Sequence, residues 1–149
     1  MIPEILHVYD MNETKSLSRF LKAQDNTYDE ALKEIKNGRK RSHWMWYVFP
    51  QIRGLGFTDT SKYYAIRDLM EAQEYLEHPI LGSRLIEISK ALLELNTRDA
   101  LAVFGSPDEM KLKSSMTLFS LVPKADPIFN EIIYAFFAGE KDESTLQLV

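Results

Sequence analysis

The sequence predicts an all-α protein, a compact single-domain orthogonal bundle of about seven to nine helices over residues 1–149. Three observations carry this reading. Apolar residues recur at steps of three and four in several segments, which places them on one face of a helix. Helix-start signals stand before such segments at Thr27, Ser61, Pro79, Ser106 and Asp126. No segment sustains the apolar–polar alternation of a half-buried strand.

The elements follow in order. Leu17, Phe20 and Leu21 repeat at helical spacing, and the pattern breaks near Asp25-Asn26. Thr27-x-x-Glu30 reads as a capping box, in which the two side chains satisfy free amides at the start of a helix. That helix should face inward with Tyr28, Ala31, Leu32 and Ile35, and stop at Gly38. From Gly38 to Thr60 the periodicity is lost, with Pro50, Gly54 and Gly56 as breakers. Ser42 is expected to cap a short helix ending before Pro50.

One helix is then expected from Thr60 or Ser61 to about Glu77, with Ala65, Leu69, Ala72 and Leu76 as its stripe. Glu71, Glu74 and Glu77 should face solvent on its far side. His78-Pro79 marks a boundary, since proline suits a first helical turn. Leu81, Leu85, Ile88, Leu92 and Leu95 give the clearest stripe in the chain. Thr97 should cap a short helix ending at Gly105. Ser106-Pro107-Asp108-Glu109 combines a cap, a proline and first-turn acids, and its helix should reach about Leu121. Asp126-Pro127 opens another, with Ile128, Ile132 and Phe136 inward and Gly139 at its end. Residues 142–149 suit a last short helix.

Composition narrows the function classes. The chain has no cysteine, which excludes disulfides, thiolate catalysis and cysteine-ligated metals. Its amino terminus lacks the basic segment and apolar run of a signal peptide. No apolar run approaches the roughly 20 residues of a membrane helix, so the expectation is a cytoplasmic protein without membrane contact. His7, His43 and His78 are far apart, and no acid sits at ligand spacing from His43, so no metal is expected. No cofactor can be named.

The net charge of −4 is unevenly distributed. From Ile35 to Thr58 there is no Asp or Glu, but Lys36, Arg39, Lys40, Arg41 and Arg53 are present. The rest of the chain carries the 22 acids. A local positive field on an acidic protein suits a small anion better than a broad nucleic-acid footprint. A solvated basic turn is the plainer alternative.

The stretch "GRKRSHWMWYVFPQIRGLG", residues 38–56, therefore stands out. Its plain reading is a buried segment with Trp44, Trp46 and Phe49 in the core. A functional reading uses the edges of the same stretch. His43 is then the only credible general acid or base, Trp44 or Trp46 stacks on a ring, and the Gln51 amide reads donors and acceptors. Arg39, Lys40, Arg53 and the "RGLG" backbone are suited to phosphate. On the later helix Lys111, Ser114 and Ser115 share a face. A Ser–Lys nucleophile there would need a lysine pKa lowered by burial. A share in binding an anion, or a polar face bonding to its own backbone, asks less.

The words "AQDNTYDEAL", "KRSHWMWYVFPQIRGLG", "YLEHPILGSRL", "VFG", "PDEMKLKSSMTLF" and "FFAGEKDESTL" resemble the bacterial family called domain of unknown function 1810. The likeness runs from about Leu17 to the carboxyl end, and it implies that about 1–14 is an amino-terminal extension beyond the family pattern, of which Met1 to Asp10 are assigned no role. It implies a compact all-helical domain and leaves function open. The calpastatin label that some relatives carry has no basis here, since that inhibitor is long and disordered.

The family words group Gln24, Lys40, Ser42, His43, Trp44, Trp46 and Gln51 with His78, Arg84, Lys111, Ser114, Ser115 and Thr117. Polar groups of this kind cost free energy to bury unless they are hydrogen-bonded, so they form either a buried network or a pocket lining. The expected site lies where residues 39–56 meet the Lys111–Thr117 helix. Lys40, Arg53 and Lys111 would supply charge there for a phosphate-bearing, nucleotide-like ligand. Were it an enzyme, hydrolysis or group transfer would be its chemistry. The alternative is a helical module that docks a partner protein through exposed aromatics.

Overall fold

The structure, a computed structural model, describes residues 17–149. The expected extension and His7 lie outside the described residues. Those described are helical at 17–25 (α1), Tyr28–Lys36 (α2), Met45–Val48 (α3), Asp59–Tyr63 (α4) and Leu69–Glu77 (α5). There follow Leu81–Leu93 (α6), Ala100–Phe104 (α7), Asp108–Ser120 (α8), Ile128–Phe137 (α9) and Glu143–Leu148 (α10). No strand occurs among the described residues, only one isolated parallel bridge between Ile52 and Ile66. None of the described helices is long and apolar enough to cross a membrane.

Two helices hold the assembly together. α6 packs against α2, α5 and α9, and it buries the stripe Leu81, Leu85, Ile88 and Leu92. α8 packs against α5, α7, α9 and α10. Surrounded in this way, α8 buries Leu112 and every residue from Ser114 to Phe119. A helix enclosed on most sides needs no apolar stripe, which is why this segment reads so weakly in sequence.

Several ends form as expected. Asn37 caps α2, and the Gly38 amide donates to Ile35 O (2.8 Å) and the Arg39 amide to Glu34 O (3.1 Å). That pair of bonds is a Schellman ending, and Gly38 takes the positive φ of +83° that it requires. The last short helix also forms where expected, and Asp142 proves to be its cap, accepting the Thr145 amide.

Other expectations need correction. The helix expected over 60–77 is two helices. Ile66 leaves helical geometry to pair with the 51–53 backbone, donating to Gln51 O and accepting from Arg53 N, both at 2.8 Å. Two caps frame this break: Thr58 accepts the Ser61 amide, and Asp68 accepts the Glu71 amide. This split brings the described helices to ten. Thr27 makes no cap; its hydroxyl donates back to Ala23 O at 2.6 Å. Asp99, not Thr97, caps α7, and Pro107 rather than Ser106 occupies the cap position of α8.

Glu71 does not face solvent. It is 1% exposed, and its carboxylate accepts the Arg19 guanidinium at 3.1 Å and the Arg67 amide at 2.9 Å. A second buried acid organises the segment that leads to the site. Glu34, on the inner face of α2, accepts the Arg41 amide (2.7 Å), the Ser42 amide (3.0 Å), the Ser42 hydroxyl (2.6 Å) and the Trp44 indole N–H (2.8 Å). Four donors on one carboxylate fix the chain between Gly38 and α3.

Candidate functional site

A cavity of about 230 Å³ opens between three chain segments. Trp46 of α3 and the turn residues Gln51, Leu55 and Gly56 form one wall. Pro107, Met110, Lys111 and Ser114 at the start of α8 form the second, and Asp142 and Ser144 at the start of α10 the third. Local sequence explains the first wall. α3 ends before Pro50, the 51–53 backbone is tied to Ile66, and the chain turns back through Gly54 and Gly56. A smaller adjoining hollow, about 30 Å³, shares Trp46, Gln51, Leu55 and Gly56 and is also lined by Arg53 and Lys62.

The charges around the cavity are already partnered. Lys111 Nζ lies 3.8 Å from the centre of the Trp46 ring and 3.0 Å from Asp108 Oδ1. Lys40 Nζ holds the other oxygen of Asp108 at 2.8 Å and sits 5.2 Å from the Trp44 ring centre. Burial pushes the Asp108 carboxyl up, but the two ammonium groups outweigh it and hold the pKa below the ordinary value. On the opposite wall Ser114 donates to Asp142 Oδ2 at 3.0 Å, and the same oxygen accepts the Thr145 amide and hydroxyl. The Asp142 amide donates to the Thr117 hydroxyl at 2.9 Å, which ties α10 to α8. Gln51 differs from these residues. Its side chain makes no hydrogen bond among the described residues, so its amide is free to face a ligand.

The expected site is thus only partly assembled. Trp46, Gln51, Lys111 and Ser114 line the cavity together, with Lys40 joined to them through Asp108. Arg53 is exposed and faces the smaller hollow. Trp44 is a correction: it is 1% exposed, a core residue bonded to Glu34, and offers no face to a ligand. Ser42 is likewise turned toward Glu34. His43 is exposed, lines neither hollow, and its imidazole has no partner among the described residues. The expected acid or base is therefore not at the cavity wall. Ser115 is fully buried, and its hydroxyl is without a partner among the described residues.

Gln24 belongs to another place altogether. Its amide donates to Tyr47 O (2.7 Å) and the Tyr75 hydroxyl (2.9 Å), and Arg84 approaches its carbonyl from beside the Tyr28 ring. His78 stands half-buried at the head of α6, where its Nδ1 accepts the Ile80 and Leu81 amides. These family-word residues serve the fold. Sequence reasoning missed Glu34, Asp108 and Asp142 as organisers. A signal existed for Glu34, a charge on the same helical face as Tyr28, Ala31 and Ile35. Asp108 and Asp142 were hidden because each also fits an ordinary helix start.

A larger hollow of about 590 Å³ opens between α5, α6 and the 122–126 turn, over Leu76, Ile86, Val122 and Phe129. None of the candidate site residues expected from sequence lines it. Among the described residues no group of three His, Cys, Asp or Glu is placed to hold a metal.

Comparisons with known proteins bear on the family. A family model described as "Protein of unknown function (DUF1810)" matches residues 14–149. A solved crystal structure, the conserved hypothetical protein Rv1873 from Mycobacterium tuberculosis, is similar at 42% sequence identity with a TM-score of 0.87. That likeness covers 89% of this chain and 95% of the other. No curated protein matches the chain.

Proposed function

Because the chain belongs to the DUF1810 family of proteins of unknown function, we infer its function from its own geometry: it binds a small ligand carrying a planar ring and an anionic group. The nucleotide-like, phosphate-bearing class fits that description. The observation that carries this reading is the meeting of Trp46, the unbonded Gln51 amide and the Lys111 ammonium in one concave space. A cleft with an aromatic wall and a few converging polar groups is the usual form of a small-molecule site. Arg53 and Lys62 in the adjoining hollow extend the positive wall toward a phosphate. Hydrolase or transferase chemistry gains no support here, because His43 stands outside the cavity and Asp142 is taken up by three donors.

Intrinsic emission tests the reading. Trp46 is at the cavity and Trp44 is in the core, so nucleotides, nucleotide sugars or sugar phosphates should change the emission of Trp46 alone. Trp46→Phe should abolish the response and leave the Trp44 signal. Lys111→Ala should weaken affinity by about 10- to 150-fold, the loss of a charge-assisted contact of roughly 1.5–3 kcal/mol. Lys40→Ala is the less clean variant, because its side chain is only 9% exposed and its removal also disturbs Asp108. Silence of the emission toward every anion of these classes would sink the reading. It would favour the interaction module, which has exposed Phe57, Tyr63 and Tyr134 to offer a partner.

A further inference from the structure

We propose that Asp108 occupies the anion position of this site and that a dianionic group, of the phosphomonoester class, displaces it. This rests on the binding reading above and names the ligand chemistry it selects. Two ammonium groups, Lys40 and Lys111, converge on one carboxylate at 2.8 and 3.0 Å, so the cluster is left with one positive charge in excess. The side chains are 9% exposed for Lys40 and 18% for both Lys111 and Asp108. Water screens such an arrangement far less than it would a surface pair.

An incoming monoanion that replaced the carboxylate would restore the same charge count and gain nothing. A dianion would neutralise both lysines. A phosphoryl group also has three oxygens to present, against the two of Asp108 that are already taken up. Lys111 is stacked on Trp46 at the cavity wall, so the ammonium that Asp108 holds is the one an entering ligand meets. Asp108 is the first residue of α8 and partly exposed, so rotation of its side chain toward solvent breaks no backbone bond of the helix. The carboxylate acts as a built-in competitor that weak anions do not displace.

The experiment compares inorganic phosphate at pH 8, where it is a dianion, with acetate at matched ionic strength. Tryptophan emission and thermal unfolding are read for the wild type, Asp108→Asn and the double variant Asp108→Asn/Lys111→Ala. Asp108→Asn should melt lower than the wild type without phosphate. It should also bind phosphate about tenfold or more tightly than the wild type does, since the competing carboxylate is gone. Acetate should not displace Asp108 in the wild type and should bind Asp108→Asn less tightly than phosphate does, and the double variant should lose the phosphate gain, which separates binding from general salt stabilisation. Equal phosphate affinity in wild type and Asp108→Asn, or parity of acetate with phosphate, overturns the inference and leaves the binding reading standing. Should Asp108→Asn fail to fold, the wild-type preference for phosphate over acetate decides: about tenfold upholds the inference and parity overturns it. Failure of nucleotides to bind the wild type removes the reading on which it rests.

Discussion

Glu34→Ala is expected to cost about 3–5 kcal/mol, on the order of 10 °C in melting temperature for a chain of this size. The estimate follows from what the carboxylate leaves behind. The Arg41 and Ser42 amides and the Ser42 hydroxyl stand near solvent and can recruit water. The Trp44 indole N–H cannot, because Trp44 is 1% exposed and is enclosed by Phe49 and Phe104. A buried donor with no acceptor costs its full desolvation. Glu34→Gln should lose less, since three of the four donors share Oε1, where the amide oxygen can stand, and the Ser42 hydroxyl at Oε2 can turn to accept the new N–H.

Acid titration gives an independent check on the same residue. Burial alone would raise the Glu34 carboxyl, but the Ser42, Arg41 and Trp44 donors bring it down to about 2 from an ordinary value of 4.5. Between those values the unfolded chain binds a proton that the folded chain refuses. The stability contributed by Glu34 is therefore full above pH 4.5 and is lost as the pH falls toward 2. Thermal unfolding across this window should show a shallower acid slope in Glu34→Gln than in the wild type. A melting temperature of Glu34→Ala at pH 7 within about 2 °C of the wild type would show that the four bonds carry little stability.

Gly82→Ala is expected to lose about 3 kcal/mol or more, against the sign that helix propensity predicts. In an open helix the change from glycine to alanine is stabilising by about 1 kcal/mol. Here a β-carbon would stand 2.8 Å from the Leu76 carbonyl carbon and closer still to its oxygen. Neither atom can yield, because both are backbone in the last turn of α5. The connection to α6 is short and held by His78, whose Nδ1 accepts two amides at the head of the next helix. The helices would have to part, and the burial of Tyr75, Leu81 and Leu85 would loosen with them. Thermal unfolding with far-ultraviolet dichroism decides it. A variant as stable as the wild type, or more so, would show that the close approach is not a constraint.

These two residues also illustrate how much was legible. Gly82 sits inside the word "HPILGSRL", and a glycine in the first turn of a strongly striped helix is a visible oddity. What it admits, the Leu76 carbonyl, is visible only once α5 and α6 are packed. Glu34 stands on the same helical face as Tyr28, Ala31 and Ile35, a misplaced charge that sequence can flag. Its four partners lie seven to ten residues further along, in the segment where periodicity fails. At the cavity, Trp46, Gln51, Lys111 and Ser114 were legible as a polar and aromatic set. His43 was misjudged because adjacency to a basic turn says nothing about which way a side chain points.

The sequence by itself determined most of the helices and their stops at Gly38, Gly105 and Gly139, because spacing at three and four residues and the bonding of helix ends are local energetics. Leu81, Leu85, Ile88 and Leu92 need no knowledge of the rest of the chain to declare one face apolar. The tertiary structure alone decided which charges are buried and which tryptophan meets the cavity. Burial of a charge is tolerated only where a partner arrives, and those partners come from far along the chain. Arg19 reaches Glu71 across 52 residues, and Ser114 reaches Asp142 across 28. The break between α4 and α5 has the same origin, since the backbone of Ile66 exchanges helical bonds for bonds to Gln51 and Arg53. Local pattern supplies no such partner, so only the packed chain could place the cavity and the lysines around Asp108.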